Sequence, residues 1–228
     1  MADCSKSLHY PGQDRSHPSQ ADRMINDDLP PQAFTKQDEG DDLAFYAPPR
    51  LVAHIDDSAI AALTGFYHHR LPTGARLLDL MSSWVSHLPD DRSYANVVGH
   101  GMNAEELAAN PRLDQWFVQD LNVRPAMALT DQAFDAVLCC VGVQYLQRPF
   151  EVFAEVRRTL IPGGPFIASY SNRCFPTKAV AIWRALSMED QASLISNYMN
   201  RSGFHDVEAH VLADGSSGDP LVMVLGLA

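Results

Sequence analysis

Two apolar runs joined by a polar stretch make up residues 76–103, and this pattern limits the possible folds more than any other feature. The first run, residues 77–81, is apolar on both faces of an extended chain, which is typical of a strand buried on both sides. We predict a strand, a loop, a short helix and a second strand at residues 96–102. Alternation of this kind gives a mostly parallel sheet covered by helices.

The alternation continues to the C-terminus. Further strands are predicted at residues 116–119, 134–140, 165–171, 204–213 and 221–228. Helices are predicted at residues 56–69, 104–109, 150–160 and 178–200. With a helix following each of the first five strands, the pattern predicts an α/β fold. It is Rossmann-like and doubly wound, with a seven-stranded, mostly parallel sheet that ends in a C-terminal antiparallel hairpin.

Charge and composition exclude several classes of function. The net charge of −11 repels phosphate backbones and anionic lipids, so we expect no nucleic acid and no membrane as partner. The four cysteines form no CxxC pair, so we expect neither a zinc site nor a disulfide framework. No apolar run approaches the ~20 residues that span a bilayer. The N-terminus lacks the apolar core of a leader peptide, so the expected location is cytoplasmic.

Three parts are expected along the chain. Residues 1–42 are polar, rich in Pro, Gln, Ser and Asp, and without period, which indicates a disordered or draped tail. Residues 43–74 are predicted to form a helical lid segment. Residues 75–228 are predicted to form the α/β domain.

One carboxylate draws attention because Asp79 falls near the end of the first buried strand. Ligands of open α/β sheets bind beyond the carboxyl ends of the strands. An acid buried alone is costly, so it needs a partner or a ligand. Asp79 either contacts a ligand or caps a loop, and its position favours the ligand.

The second half of the chain carries a recognisable string. RRTLIPGG, residues 157–164, resembles the R-x-L-x-P-G-G turn before the fifth strand of the class I S-adenosylmethionine-dependent methyltransferases, in particular their small-molecule type. LLDL from Leu77 and VQDLN at residues 118–122 are similar to other segments of that family. The resemblance covers residues from about 75 to the C-terminus. It implies S-adenosyl-L-methionine as cofactor and a small-molecule acceptor, and an oligomer is possible.

The resemblance also implies which residues hold the cofactor. Asp79 would orient its amino group, Asp120 would accept from the adenine amine, and Met102 would pack on the adenine face. Arg50 would pair with the cofactor carboxylate through its planar fork. The expected cofactor-binding residues are Tyr46, Arg50, Asp79, Met81, Ser82, Ser83, Gly101, Met102, Asn103, Asp120, Leu121 and Cys140.

Two departures from the family pattern bear on that expectation. The turn after the first strand, residues 81–87, contains no glycine, although small residues are needed where backbone approaches a ligand closely. Ser82 and Ser83 are small enough to substitute in part. The acid expected after the second strand is Gly101, so the contact to the ribose hydroxyls is missing or is made by Asn103 or a neighbour.

Candidates for the chemistry follow the fourth and fifth strands. Tyr145 and Gln144 would face the acceptor, and His87 would act as a general base, because its ordinary pKa of ~6.5 suits that task. Asn172, Arg173 and Lys178 form a polar loop that would bind an acidic group of the substrate. Each also has a plainer interpretation as a packing or loop residue.

Three functional hypotheses remain open on the sequence. The first is methyl transfer to a small molecule. The second is a non-catalytic member that keeps the fold as a binding or scaffolding module, which the missing glycines and Gly101 favour. The third is an enzyme that uses the nucleoside cofactor for other chemistry, since a fold does not fix a reaction.

Overall fold

A seven-stranded sheet organises residues 29–228, the part of the chain that the computed structural model describes. The strands are β1 (Arg76–Asp79), β2 (Asn96–Gly101), β3 (Gln115–Val118), β4 (Ala136–Cys140), β5 (Pro165–Ser171), β6 (His205–Ala213) and β7 (Leu221–Leu227). Their spatial order is β3-β2-β1-β4-β5-β7-β6. The first five strands pair in parallel, and β7 runs antiparallel to both β5 and β6. The predicted fold class and closing hairpin are therefore confirmed.

Six α-helices accompany the sheet in this part of the chain. They are α1 (Asp42–Tyr46), α2 (Asp57–Arg70), α3 (Ala104–Ala109), α4 (Pro149–Thr159), α5 (Ala181–Ala185) and α6 (Met188–Arg201). Short 3-10 turns lie at Pro31–Phe34 and Val143–Tyr145. The predicted helix at residues 104–109 has the same bounds as α3, because Asn103 caps its start through a bond from the Glu106 N–H and Pro111 follows its end.

Helices cover the sheet on both faces, which explains why its central strands are apolar throughout. On one face, α4 and α6 bury Phe153 and Leu194 against residues such as Val137 of β4. On the other face, α2 buries Leu63 against Leu138 of the same strand. Neighbouring residues of β4 thus serve opposite layers, as the period of a strand requires.

The short helix predicted between β1 and β2 is absent, and residues 80–95 form a loop instead. A second helix-free connection, residues 119–135, joins β3 to β4, so the expected alternation holds for three of the five crossovers only. For residues 80–95 the physical reason lies in α2, which precedes β1 and covers the sheet face on which Leu88 of this loop packs. The first loop is held by side chains: the Asn110 amide donates to the Ser83 carbonyl and the Ser86 hydroxyl.

An N-terminal strap, residues 29–50, crosses the carboxyl ends of the strands. It includes residues that the sequence assigned to the tail and to the start of the lid, while α2, the rest of that lid, packs into the core. The Phe34 ring meets the rings of Phe150 and Tyr198 at its beginning. Near its end, the Asn103 amide donates to the carbonyls of Tyr46 and Ala47.

Three buried charges fix the middle of the strap. Lys178, which follows β5 and is fully buried, pairs with Asp42 Oδ1 at 3.0 Å and donates to the Gly40 carbonyl at 2.9 Å. Lys36 pairs with the other carboxylate oxygen of Asp42. Burial raises the pKa of Asp42, but the bonds from the two lysines outweigh it and hold that pKa below its usual value. The ammonium of Lys178 is therefore committed to the strap.

We expect Lys178→Met to loosen the strap. The change leaves Asp42 Oδ1 and the main-chain carbonyls of Asp38 and Gly40 without the donor that Lys178 supplies. Breaking a buried ion pair by removing one partner costs about 3 kcal/mol or more of the free energy of unfolding. Urea unfolding measures that loss, and limited proteolysis should show faster cleavage within residues 36–50.

The matched control is Arg148→Gln, which removes the exposed pair with Glu151 on α4. Exposed pairs contribute less than about 1 kcal/mol. Equal stability losses in the two variants would contradict the role given to Lys178.

Candidate active site

A cavity opens at the carboxyl ends of the parallel strands, beneath the strap. Counted as space open to the centre of a water-sized sphere, its volume is about 200 Å³. One water needs only about 10–15 Å³ on that measure, so the cavity accepts a ligand of many atoms. Its position is where open α/β sheets bind their ligands.

The cavity gathers most of the residues singled out from the sequence. The predicted residues in its wall are Tyr46, Arg50, Met81, Ser82, Ser83, Gly101, Met102, Asn103, Asp120, Leu121, Cys140, Tyr145 and Arg173. Residues that sequence reasoning did not place at the site also line it, among them Asp42, Glu106, Asn122 and Phe175. The strap supplies Asp42, so its contribution depends on long-range packing that no local pattern reveals.

The remaining predicted residues lie elsewhere. Asp79 and His87 line a smaller chamber that shares Ser82 and Cys140 with the cavity. Gln144, Asn172 and Lys178 line neither space. The Gln144 amide turns back to the Val141 carbonyl at 2.7 Å, Asn172 accepts from its neighbour Ser171, and Lys178 is held in the ion cluster of the strap.

The glycine-free turn after β1 is pinned to β2. The Met81 N–H donates to His100 Nδ1 at 3.2 Å, and the Ser82 N–H donates to the His100 carbonyl at 2.6 Å. Nε2 of the same ring donates to the Gln119 carbonyl at 2.9 Å, which leaves Nδ1 as the acceptor. Burial lowers the pKa of His100 to about 4, so the ring is neutral at pH 7. Met81 adopts a φ of 57°, held by this clamp.

Two glycines, one at the end of β2 and one in the loop after β4, provide the room that this turn needs. A Cβ on Gly101 would meet the Ser82 carbonyl oxygen at 2.4 Å, and one on Gly142 would meet Met81 Cβ at 2.9 Å. Gly101 is therefore a glycine because backbone from β1 crosses over it. The same crossing leaves no room at that position for the acid that the family pattern expects.

Glu106 on α3 is the acid that reaches this part of the wall. Its carboxylate accepts from the Ser83 hydroxyl at 2.6 Å and from the Arg50 N–H at 2.7 Å. Asn103 has no free amide group, because Oδ1 caps α3 and Nδ2 holds the strap. The spacing of Asn103 and Glu106 is that of a capping box, which explains why the sequence alone indicated only a helix start.

The smaller chamber concentrates hydrogen-bond acceptors. Asp79 is almost fully buried and accepts from the Ser82 hydroxyl at 2.6 Å. Burial raises the pKa of Asp79 to about 6, against the lowering effect of that bond. Burial also lowers the pKa of His87 to about 4, and Nδ1 of this ring has no hydrogen-bond partner among residues 29–228. A carboxylate and a neutral imidazole therefore share one small space.

The far wall of the cavity is aromatic. The rings of Tyr46, Tyr145 and Phe175 lie 6.1 to 6.5 Å apart between centroids. The Tyr145 hydroxyl accepts from the Phe175 N–H at 2.9 Å, and burial raises the pKa of Tyr145 to about 12. Burial likewise raises the pKa of the Cys140 thiol to about 12, so neither group is ionised at pH 7.

Residues 29–228 contain neither a metal-ligand cluster nor a membrane-spanning helix. No group of three or more His, Cys, Asp or Glu side chains is placed to hold a metal ion. None of the helices in this part of the chain is long and apolar enough to cross a membrane.

We expect Gly101→Ala to destabilise the protein, because the new methyl group overlaps main-chain atoms that cannot move independently. Overpacking of this kind costs about 1–3 kcal/mol of the free energy of unfolding. Gly65→Ala is the matched control: a Cβ there meets nothing within 4 Å, and alanine in the helix should add about 0.5–1 kcal/mol. Chemical denaturation of both variants measures the difference, and equal effects would contradict the crossing of Ser82 over Gly101.

We expect Asp79→Asn to stabilise the protein at neutral pH. Because the folded-state pKa of Asp79 is raised from 3.8 to about 6, stability from this group is present below pH 4 and is lost as the pH rises through 6. The variant should gain about 3 kcal/mol, to order of magnitude, over wild type between pH 4 and pH 7. Urea unfolding at several pH values measures this difference. A variant less stable than wild type throughout that range would show that another group stabilises the carboxylate.

Comparisons with known proteins agree with this architecture. Residues 82–168 match the model of a family described as methyltransferase domain. No curated protein matches the chain. A solved complex between the Haloferax volcanii Trm112 methyltransferase activator and a methyltransferase matches with 16% identity and a TM-score of 0.57, covering 75% of this chain and 90% of that one.

Two other solved structures share the fold. An S-adenosylmethionine-dependent methyltransferase from Mesorhizobium loti has 18% identity and a TM-score of 0.51, over 74% of this chain and 98% of that one. A Haemonchus contortus phosphoethanolamine N-methyltransferase, solved with S-adenosylhomocysteine, has 15% identity and a TM-score of 0.53. The match covers 74% of this chain and 52% of that one. The chain therefore has the fold of the class I S-adenosylmethionine-dependent methyltransferases, and its residues 82–168 match a methyltransferase-domain model.

Proposed function

We propose that this protein transfers a methyl group from S-adenosylmethionine to a small-molecule acceptor. The observation that carries the proposal is the cavity at the carboxyl ends of β1 to β5, together with the chamber that contains Asp79 and His87. The cavity lies within the methyltransferase domain for most of its wall, since Ser82, Gly101, Asp120 and Tyr145 all belong to residues 82–168.

The residues present fit the cofactor without a glycine-rich turn. The chamber offers Asp79 and the free Nδ1 of His87 to a primary ammonium group, and such a group needs acceptors rather than donors. Asp120 and Leu121 would hold the adenine with Met102. Glu106 would accept from the ribose hydroxyls, and this replaces the acid that Gly101 excludes.

The cofactor supplies the activated methyl group, and the chain contributes alignment and exclusion of water. The strap closes the cavity from above with Tyr46 and Arg50. The hydroxyl of Tyr145 and the thiol of Cys140 stay protonated, so neither acts as a base at pH 7. His54 borders both the cavity and the chamber, and burial lowers its pKa, so we assign that role to His54 rather than to His87.

We expect S-adenosylhomocysteine to bind with an affinity that depends on Asp79. The ammonium group of this ligand favours the ionised carboxylate, so affinity should fall by up to about tenfold per pH unit below pH 6. Asp79→Asn should bind more weakly at pH 7 and lose that pH dependence. Calorimetric titration between pH 5 and pH 8 measures both effects.

The matched control is Asp214→Asn, an exposed loop residue between β6 and β7 whose carboxylate accepts from the Ser216 N–H. It should bind the ligand as wild type does. Absence of binding to wild type at millimolar ligand would overturn the proposed function and favour a non-catalytic module. If S-adenosylmethionine is supplied instead and methylthioadenosine, rather than S-adenosylhomocysteine, is the product, other chemistry on the same cofactor is favoured.

A further inference from the structure

One arginine of the strap is held between aromatic rings at the cavity wall. The Arg50 guanidinium carbon lies 4.8 Å from the Phe45 ring centroid, 5.8 Å from that of Tyr46 and 5.3 Å from that of Phe175. Its recorded hydrogen bonds go to the Phe45 carbonyl at 3.0 Å and, weakly, to the Pro48 carbonyl at 3.4 Å. No carboxylate in residues 29–228 lies within ion-pair distance of this guanidinium. Stacking on the three rings thus orients the Arg50 guanidinium, whose positive charge has no carboxylate partner in the described part of the chain.

A second arginine borders the same wall from the loop after β5. Arg173 Nε pairs with Asp219 at 2.8 Å, and this is the one ion pair that the guanidinium makes within the described part of the chain. Its terminal amino groups have no recorded partner there, and the side chain is 63% exposed. Both Arg50 and Arg173 therefore present N–H donors to the cavity.

The acids of the cavity are already engaged with donors of this chain. Asp42 is bracketed by Lys36 and Lys178. Glu106 accepts from Ser83 and from the Arg50 main chain, and Asp120 Oδ1 accepts from the Asn122 N–H at 2.8 Å. The guanidinium of Arg50 is therefore the cation at the aromatic wall that has no carboxylate partner in residues 29–228, although the chain as a whole carries −11.

The same rings argue against a cationic acceptor. Aromatic faces can bind an ammonium group, but Arg50 already occupies the faces of Phe45, Tyr46 and Phe175. An incoming amine cation would also meet the guanidinium group of Arg50, which has no carboxylate partner in residues 29–228, and the terminal amino groups of Arg173. A carboxylate or phosphate meets planar forks that match its geometry.

We propose that the methyl acceptor is an anionic molecule with an apolar or aromatic body, whose carboxylate or phosphate binds Arg50 and Arg173 while its body rests on Tyr145. This inference rests on the proposed function, because it concerns the acceptor half of that site. The carboxylate of the cofactor itself is the other source of an anion for Arg50, and the experiment separates the two.

The experiment is calorimetric titration of protein saturated with S-adenosylhomocysteine, using three probes of similar shape. The probes are 4-hydroxyphenylacetate, its uncharged amide, and tyramine. We expect the carboxylate to bind about tenfold or more tightly than the amide, and tyramine to bind least. Arg50→Gln and Arg173→Gln should each reduce carboxylate affinity by roughly tenfold, the loss for one charge-assisted hydrogen bond, and leave amide affinity unchanged.

Arg148→Gln, on the exposed start of α4, is the matched control and should change neither affinity. Equal binding of carboxylate and amide, or no carboxylate binding at millimolar concentration, would overturn the inference. It would also be overturned if Arg50→Gln weakened S-adenosylhomocysteine alone, because the anion would then be that of the cofactor. Failure of the first titration, with S-adenosylhomocysteine itself, would instead count against the proposed function.

Discussion

The neutral ring of His100 holds together the part of the molecule on which the site depends. One nitrogen accepts from the Met81 N–H while the other donates to the Gln119 carbonyl, so a single imidazole ties the ends of β1, β2 and β3. Such an arrangement needs one fixed tautomer, and burial keeps it by disfavouring the protonated ring. The turn after β1 can then do without glycine, because Gly101 and Gly142 on its neighbours give up their side-chain space.

Charge is distributed unevenly over the resulting site. Around the chamber, Asp79 and His87 supply hydrogen-bond acceptors. Beneath the strap, Lys36 and Lys178 pair with Asp42, and Arg50 lacks a carboxylate partner in residues 29–228. A ligand with an ammonium at one end and an acceptor with an anion at the other would meet complementary ends of the same space.

Local patterns in the sequence were sufficient for much of the fold. The bounds of α3 follow from Asn103 and Pro111. The Pro162–Gly163–Gly164 turn is followed by β5, whose bounds are those predicted from the sequence. The missing helix at residues 80–95 was not predictable in this way, because its absence depends on a separate element, α2, covering the same face of the sheet. Sequence periodicity reports one element at a time, whereas coverage of a sheet face is a property of several.

The site shows the same division. Residues after strands, such as Ser82 and Asp120, could be placed because parallel strands bring their carboxyl ends to one edge. Glu106 was hidden by a spacing that also describes a capped helix. Lys178 is a residue type that could bind an acidic group of a substrate. Only its long-range ion pair with Asp42 of the strap shows that its ammonium is already engaged.

A structure of the protein with S-adenosylhomocysteine bound tests the central claim most directly. The account predicts the adenosine in the large cavity, the amino group in the chamber beside Asp79, and the bonds from Met81 and Ser82 to His100 unchanged. An empty cavity at saturating ligand, or a turn at residues 81–87 displaced from His100, would contradict the claim that this glycine-free turn is built to hold the cofactor.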